Sequence, residues 1–318
     1  MVIIQLAGGL GNQMFQYALY LQFQNLHKEV KIDDVAGFVE DEKRDPSLSA
    51  FGITYQKADP KEIEEMLDAS LLFWHRVRRK LFGRKRKSYF EADKRFKPEI
   101  FTWDDIYLEG YWQTEKYFEA VADQVRAAFD VDRLLMVQQA EDMAKAGRTK
   151  LQTKVQTYLR QITQTQSVSL HIRRGDYLTP ENQALFGGIC TEAYYKEAVR
   201  LMREQYPGCR FFLFTNDKEW AKERFADDKG GRTTETALAD GEPADVIVVD
   251  LPEGSDHEEF ALMSKCKHHI LANSSFSWWA SYLNQNPGKT VLAPPKWLNG
   301  WDCQDFYRED MRKVSVTP

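Results

Sequence analysis

The sequence predicts an α/β protein of two domains built on parallel sheets, and three observations carry that expectation. In the second half, short apolar runs recur at residues 168–172, 211–214, 246–249, 270–272 and 291–293, separated by helix-like segments such as 191–205 and 218–225. Near-continuous apolar strands alternating with helices are the pattern of a parallel sheet covered on both faces. The first half opens with an apolar strand, a glycine turn and a segment of helical period. The chain has 318 residues, long for one domain and natural for two.

Taken in order, residues 2–6 form the first expected strand, ending at Ala7-Gly8-Gly9. Residues 12–27 place Met14, Phe15, Ala18, Leu19, Leu21 and Leu26 near helical spacing. A short strand at 30–32 ends at Asp33-Asp34, and helices are expected over 61–82 and 114–129. The polar stretch 131–166 reads as helical and holds the domain boundary, near residue 160, giving domains 1–160 and 161–318. Residues 227–243, rich in Gly, Thr and acids, read as a surface insertion.

Net charge is −5, which argues against nucleic acid as the main partner, since backbone binding wants a basic domain. No apolar run approaches the ~18 residues of a membrane span, and the N-terminus lacks the pattern of a signal peptide. Cys190, Cys209, Cys266 and Cys303 are widely and irregularly spaced, which suggests neither a zinc site nor a disulfide framework. A cytoplasmic protein is expected. One run stands out: residues 76–87 carry eight positive charges and no negative one. A solvated face is the plain reading; peripheral attachment to an anionic inner membrane is the sharper one.

Ligands of parallel sheets bind at the carboxyl ends of the strands. There, His171 and Arg173 share one face of the 168–172 strand, and Arg174-Gly175-Asp176-Tyr177 follows. Adjacent arginines at a strand tip suit a phosphate, because guanidinium offers a bidentate fork. The competing reading is that one of them pairs with Asp176 to shape the turn. After the 270–272 run, Asn273-Ser274-Ser275-Phe276 opens a helix whose first N–H groups and dipole favour an anion. Plain N-capping is the alternative, and Trp278 and Trp279 read as packing. Asn216-Asp217 ends the 211–214 strand, where Asp217 either contacts a nucleotide or caps the next helix.

The loop Gly8-Gly9-Leu10-Gly11-Asn12-Gln13 invites a dinucleotide reading, with Asp33 downstream, but Met14 occupies the position where that fingerprint needs a small residue. It is read instead as a loop whose backbone approaches a ligand across an interdomain cleft. Asp130-Val131-Asp132 resembles a metal-binding D-x-D yet is expected to close a helix. His268 and His269, adjacent in a strand, face opposite sides and are not expected to share a metal.

Together these segments resemble glycosyltransferase family 11, the α1,2-fucosyltransferases. The matching stretches are QLAGGLGNQMFQYA at 5–18, EGYWQTEKYF at 109–118, HIRRGDY at 171–177, FFLFTND at 211–217 and EEFALMSKCKHHILANSSFSWWASYLN at 258–284. The resemblance implies a fold of the GT-B type, two Rossmann-like domains facing a cleft, and an inverting, metal-independent transfer of fucose from GDP-fucose. It implies that Arg173 binds the diphosphate, with His171, Arg174 and Asp176 shaping that site. Asp217 and Glu259 then lie near the guanosine, Asn273, Ser275 and Phe276 near the phosphates, and Gly11 and Asn12 near the fucose. The family usually has Asp where this chain has Glu259, and often Asp where it has Asn216.

The implied acceptor is a β-galactoside or a lipid-linked oligosaccharide, with Gln13, Trp112 and Gln113 as candidate contacts. Asp33, Asp34, Glu115 and Asp176 are candidates for the base, and none is assigned. Other fucosyl linkages, an oxidoreductase using the glycine loop, and a non-catalytic nucleotide-sugar binder are the competing functions.

Overall fold

In a computed structural model, the described residues are 1–41, 44–69, 78, 80–81, 85–132, 135, 149–225, 227–228, 232–233 and 245–315. They divide into two compact units, Met1–Ala128 with Gln304–Phe306, and Phe129–Cys303 with Tyr307–Pro318. Each unit has its own all-parallel sheet, the two-domain α/β organisation that the sequence predicts.

The first unit runs β1 (Val2–Ala7), α1 (Leu10–Asn25), β2 (Val30–Gly37), α2 (Pro60–Met66), β3 (Ser88–Phe90), β4 (Ile106–Glu109) and α3 (Ala122–Ala128). The strand order is β2-β1-β4-β3. β1 is followed on one side by β2, and the chain then crosses to the other side for β3 and β4. Met14, Phe15, Ala18 and Leu19 of α1 are buried, as the periodicity predicts. Of the helix expected over 61–82, a first piece ends at Met66, with Asp68 at φ 50; Arg78, Lys80 and Leu81 are again helical, and residues 70–77, 79 and 82–84 lie outside the described ones. The helix expected over 114–129 begins as the 3-10 turns Glu115–Tyr117 and Glu119–Val121 and becomes α-helical only in α3.

The second unit runs α4 (Thr149–Gln164), β5 (Ser167–Ile172), α5 (Pro180–Phe186), α6 (Glu192–Gln205), β6 (Arg210–Thr215), α7 (Lys218–Phe225), β7 (Asp227–Asp228), β8 (Arg232–Thr233), β9 (Val246–Val248), α8 (Asp256–Lys265), β10 (His268–Ile270), α9 (Ser275–Leu283), β11 (Val291–Ala293) and β12 (Met311–Lys313). Its main sheet has the order β12-β11-β10-β5-β6-β9. All six residues of β5 are buried, which is why that strand reads as a central one. Val168, Leu170 and Ile172 pack with Tyr194, Ala198 and Met202 of α6, and each such side chain removed from water contributes ~1.5–3 kcal/mol.

The units part between Ala128 and Phe129, earlier than the boundary near 160, because α4 packs within the second unit: Lys154 donates to the Asp250 carbonyl at 2.8 Å and Tyr158 to that of Val248 at 3.3 Å. β10 starts at His268, before the apolar 270–272 run, because both histidines are buried with polar partners. His269 Nδ1 meets Ser169 Oγ at 2.8 Å and its Nε2 meets Asn284 Nδ2 at 2.7 Å; His268 meets Gln166 at 2.9 Å. Asp130 follows a helix, and its Oδ1 accepts from Asp132 N at 2.9 Å, so this pair opens the next turn; Asp132 pairs with Lys265. Within the basic run, residues 76, 77, 79 and 82–84 lie outside the described ones, while Arg78 pairs with Asp68, Arg86 with Glu109 and Lys87 with Asp105. Most of the expected 227–243 insertion also lies outside the described residues.

Candidate functional site

The second sheet starts at its centre. β5 comes first, β6 and β9 extend it one way, and the chain then jumps to β10 on the other side. The strand order therefore reverses between β5 and β10, and a crevice at the carboxyl ends of such a pair is where parallel sheets bind ligands. His171, Arg173 and Arg174 stand at the β5 tip, and Asn273, Ser274 and Ser275 follow the β10 tip.

The two tips are tied together. Tyr177 donates its hydroxyl to the Asn273 carbonyl at 2.9 Å, and the His171 ring lies 5.9 Å from that of Phe276. Asn273 is 2% exposed; its side chain donates to the Trp297 carbonyl at 3.2 Å and accepts from Cys190 Sγ at 3.3 Å. The loop ahead of α9 is thus fixed from both sides. Ser274 is the N-cap, accepting from Phe276 N at 3.4 Å, so Ser275 and Phe276 form the first turn, half-buried. Trp278 and Trp279 are buried against each other and Tyr282, the packing role read from the sequence.

His171 is 4% exposed, and its Nδ1 has no hydrogen-bond partner among the described residues. Burial, and then the neighbouring Arg173 guanidinium, depress its pKa to about 3, so the imidazole is neutral. A buried nitrogen without a partner costs on the order of 1–3 kcal/mol. Arg173 is half-buried, with its guanidinium 5.7 Å from the Tyr177 ring.

Arg174 is engaged differently. Its N donates to Asn216 Oδ1 at 2.9 Å, its Nε donates to Asp217 Oδ2 at 3.0 Å, and its guanidinium covers Trp220 at 4.4 Å. Gly175 sits at φ +33, and a Cβ there would lie 2.5 Å from Asn216 Nδ2, so only glycine fits this turn. The capping reading of Asp217 holds, with Trp220 N donating to Oδ1 at 3.2 Å. Glu259 pairs with Lys218 at 2.6 Å, and burial raises its carboxyl to about 7. The side chain of Asp176 lies outside the described residues.

In the first unit, Asn12 and Gln113 meet: Gln113 Nε2 donates to Asn12 Oδ1 at 2.6 Å. Gly11 is buried in the first turn of α1. Gln13 is fully buried, donating to the carbonyls of Gly8 and Asp45 and accepting from Ser47 N, so its amide is spent on the loops. Trp112 is also fully buried, 5.5 Å from Tyr117. Both serve the interior. Of the candidate bases, Asp33 accepts from Val35 N, Ala36 N and the Tyr107 hydroxyl, and Asp34 from Tyr55 and Lys57. Glu115 stands half-buried in the first turn of its 3-10 segment. Sequence reasoning missed Tyr177, Gln16 and Glu91, whose partners lie far along the chain. Among the described residues no group of His, Cys, Asp and Glu is arranged to hold a metal.

A family model described as Glycosyl transferase family 11 matches residues 86–311. An alpha-1,2-colitosyltransferase of Escherichia coli is 27% identical over 313 residues, covering 96% of this chain and 95% of the relative. A galactoside alpha-(1,2)-fucosyltransferase 1 of Ateles belzebuth is 25% identical over 277 residues, covering 87% of this chain and 63% of the relative. Among solved structures, E. coli ADP-heptose lps heptosyltransferase II is 13% identical with a TM-score of 0.44, over 99% of this chain and 90% of that one.

Proposed function

The chain belongs to glycosyl transferase family 11, and we propose that it moves L-fucose from GDP-β-L-fucose to the 2-hydroxyl of a terminal β-galactoside, with inversion. The observation that carries this reading is the β5/β10 switch point, where Arg173, the unpartnered His171 Nδ1 and the first turn of α9 stand at adjacent strand tips. That set suits a diphosphate without a metal. When the bond between fucose C1 and the β-phosphate oxygen breaks, negative charge grows on GDP. Arg173 and the helix start meet it as groups already in place. The acceptor oxygen bonds to C1 from the opposite face, and its proton leaves to a base that no residue described above claims.

Arg174, fixed on Asp217 and Trp220, holds the turn that presents Arg173. Asn216 and the Lys218–Glu259 pair form the nucleoside side of the site. A second reading rests on the colitosyl relative, whose match spans nearly both chains: colitose is fucose without its 3-hydroxyl, so the same diphosphate site suits a GDP donor of either sugar. A lipid-linked oligosaccharide is the acceptor if the enzyme works at a membrane surface.

The test is incubation with GDP-fucose, with the GDP donor of the 3-deoxy sugar and with a panel of β-galactosides, followed by linkage analysis of the product. A Fucα1-2Gal product is expected. Transfer from the 3-deoxy donor alone replaces the donor assignment, and release of no GDP from either donor sinks the reading.

A further inference from the structure

The first sheet reverses its strand order too, between β1 and β4. What crosses that second switch point is a set of buried polar side chains. Gln16, with no exposure, accepts from Ala7 N at 2.9 Å and donates to the Gly110 carbonyl at 2.8 Å, so one carboxamide ties the carboxyl ends of both strands. Glu91, 3% exposed, accepts through one oxygen from Tyr111 N at 2.9 Å and Trp112 N at 3.2 Å. Burial raises this carboxyl above its ordinary value. The turn that Glu91 holds includes Trp112 at φ 56, a left-handed conformation that a non-glycine residue keeps only where its surroundings impose it.

Above this frame three groups stand together. Gly8, at φ +74, has no Cβ, and one added there would lie 2.7 Å from Asn12 Nδ2 and 3.2 Å from the Tyr111 ring. The Asn12–Gln113 hydrogen bond uses the Oδ1 of one and the Nε2 of the other. Asn12 Nδ2 and Gln113 Oε1 have no partner among the described residues. That leaves one donor and one acceptor side by side, which is the complement of a vicinal diol. Tyr111 is 38% exposed and offers an aromatic face beside them.

We propose that Tyr111 and the Asn12–Gln113 amide pair form the subsite for the terminal sugar of the acceptor, with Gln16 and Glu91 as its positioning residues. The inference rests on the β-galactoside reading above. The C–H face of a galactopyranoside lies on the Tyr111 ring, and two of its hydroxyls take the free Nδ2 and Oε1.

Kinetics of the full-length protein with lactose and GDP-fucose test this. Tyr111→Ala is expected to raise the lactose KM about tenfold while the GDP-fucose KM stays within about twofold, and Tyr111→Phe to stay near wild type. Glu91→Ala should raise the lactose KM in the same way, and Glu91→Gln, which keeps an accepting oxygen, should restore it. If Tyr111→Ala fails to fold, Gln113→Ala removes the acceptor half of the pair and gives the same readout. An unchanged lactose KM, or a rise in the GDP-fucose KM instead, overturns the subsite. A wild-type protein that transfers nothing yet binds lactose by saturation-transfer NMR, and loses it in Tyr111→Ala, sinks the transferase reading and keeps the subsite. Absence of lactose binding in an inactive wild type overturns both.

Discussion

Arg174 Nε donates to Asp217 Oδ2 at 3.0 Å, while Asp217 Oδ1 accepts from Trp220 N at 3.2 Å. The second arginine of the pair is therefore built into the turn and the cap of α7. Arg173, next to the unpartnered His171 nitrogen, is the one proposed above to meet the diphosphate.

Arg173→Lys keeps the charge and loses the fork, so kcat should fall by ~10²–10³ with an unchanged melting temperature. Arg174→Lys loses the Nε bond to Asp217, so its main cost should be in stability. Steady-state kinetics and thermal melting of both variants check the division. Near-normal turnover by a folded Arg173→Lys protein removes Arg173 from the site.

Turnover should persist in excess EDTA. The positive groups proposed to meet the departing GDP are a guanidinium and a helix start, and neither is lost to a chelator. GDP release with and without EDTA is the measurement. Abolition that one divalent ion reverses defeats the metal-free mechanism.

Glu259 gives a pH dependence with a definite sign. Burial raises its carboxyl from 4.5 to about 7, against the opposing pull of Lys218. Between those values the folded protein holds a proton that the unfolded chain releases, so this group's contribution is present below 4.5 and is lost as pH rises through 7. Glu259→Gln cannot titrate. Its melting temperature minus that of wild type should therefore grow more positive from pH 5 to pH 8. A constant difference over that range contradicts the assignment.

Gln13→Ala should destabilise the protein by about 2–4 kcal/mol, because three backbone bonds are lost and buried groups are left unpaired. Denaturant unfolding reads this. Wild-type stability with a raised acceptor KM instead returns Gln13 to the acceptor site.

The sequence showed the strands of the second unit well, since buried parallel strands are apolar without interruption. It centred β10 on the apolar 270–272 run, because the partners that bury the two strand histidines, Gln166 for His268 and Ser169 and Asn284 for His269, lie in other segments. The break in the helix expected over 61–82 was not legible, because nothing in the residue types announces the left-handed turn at Asp68. Arg173 and the serine turn were legible as chemistry at strand tips. Gln16 and Glu91 were not, since Gln16 meets Gly110 across 94 residues of chain and Glu91 reads locally as one more surface acid.

The short segment Gln304–Phe306 belongs to the first unit, where Asp305 accepts from Phe96 N at 2.8 Å and pairs with Lys116 at 2.6 Å and Arg95 at 3.2 Å. This limits how relatives can be recombined. A chimaera joined once, between 128 and 129, takes positions 95, 96 and 116 from one parent and position 305 from the other. It keeps this ion cluster only where the second parent also supplies a carboxylate at 305. An exchange of whole units needs two crossovers, the second returning 304–306 to the parent of the first unit.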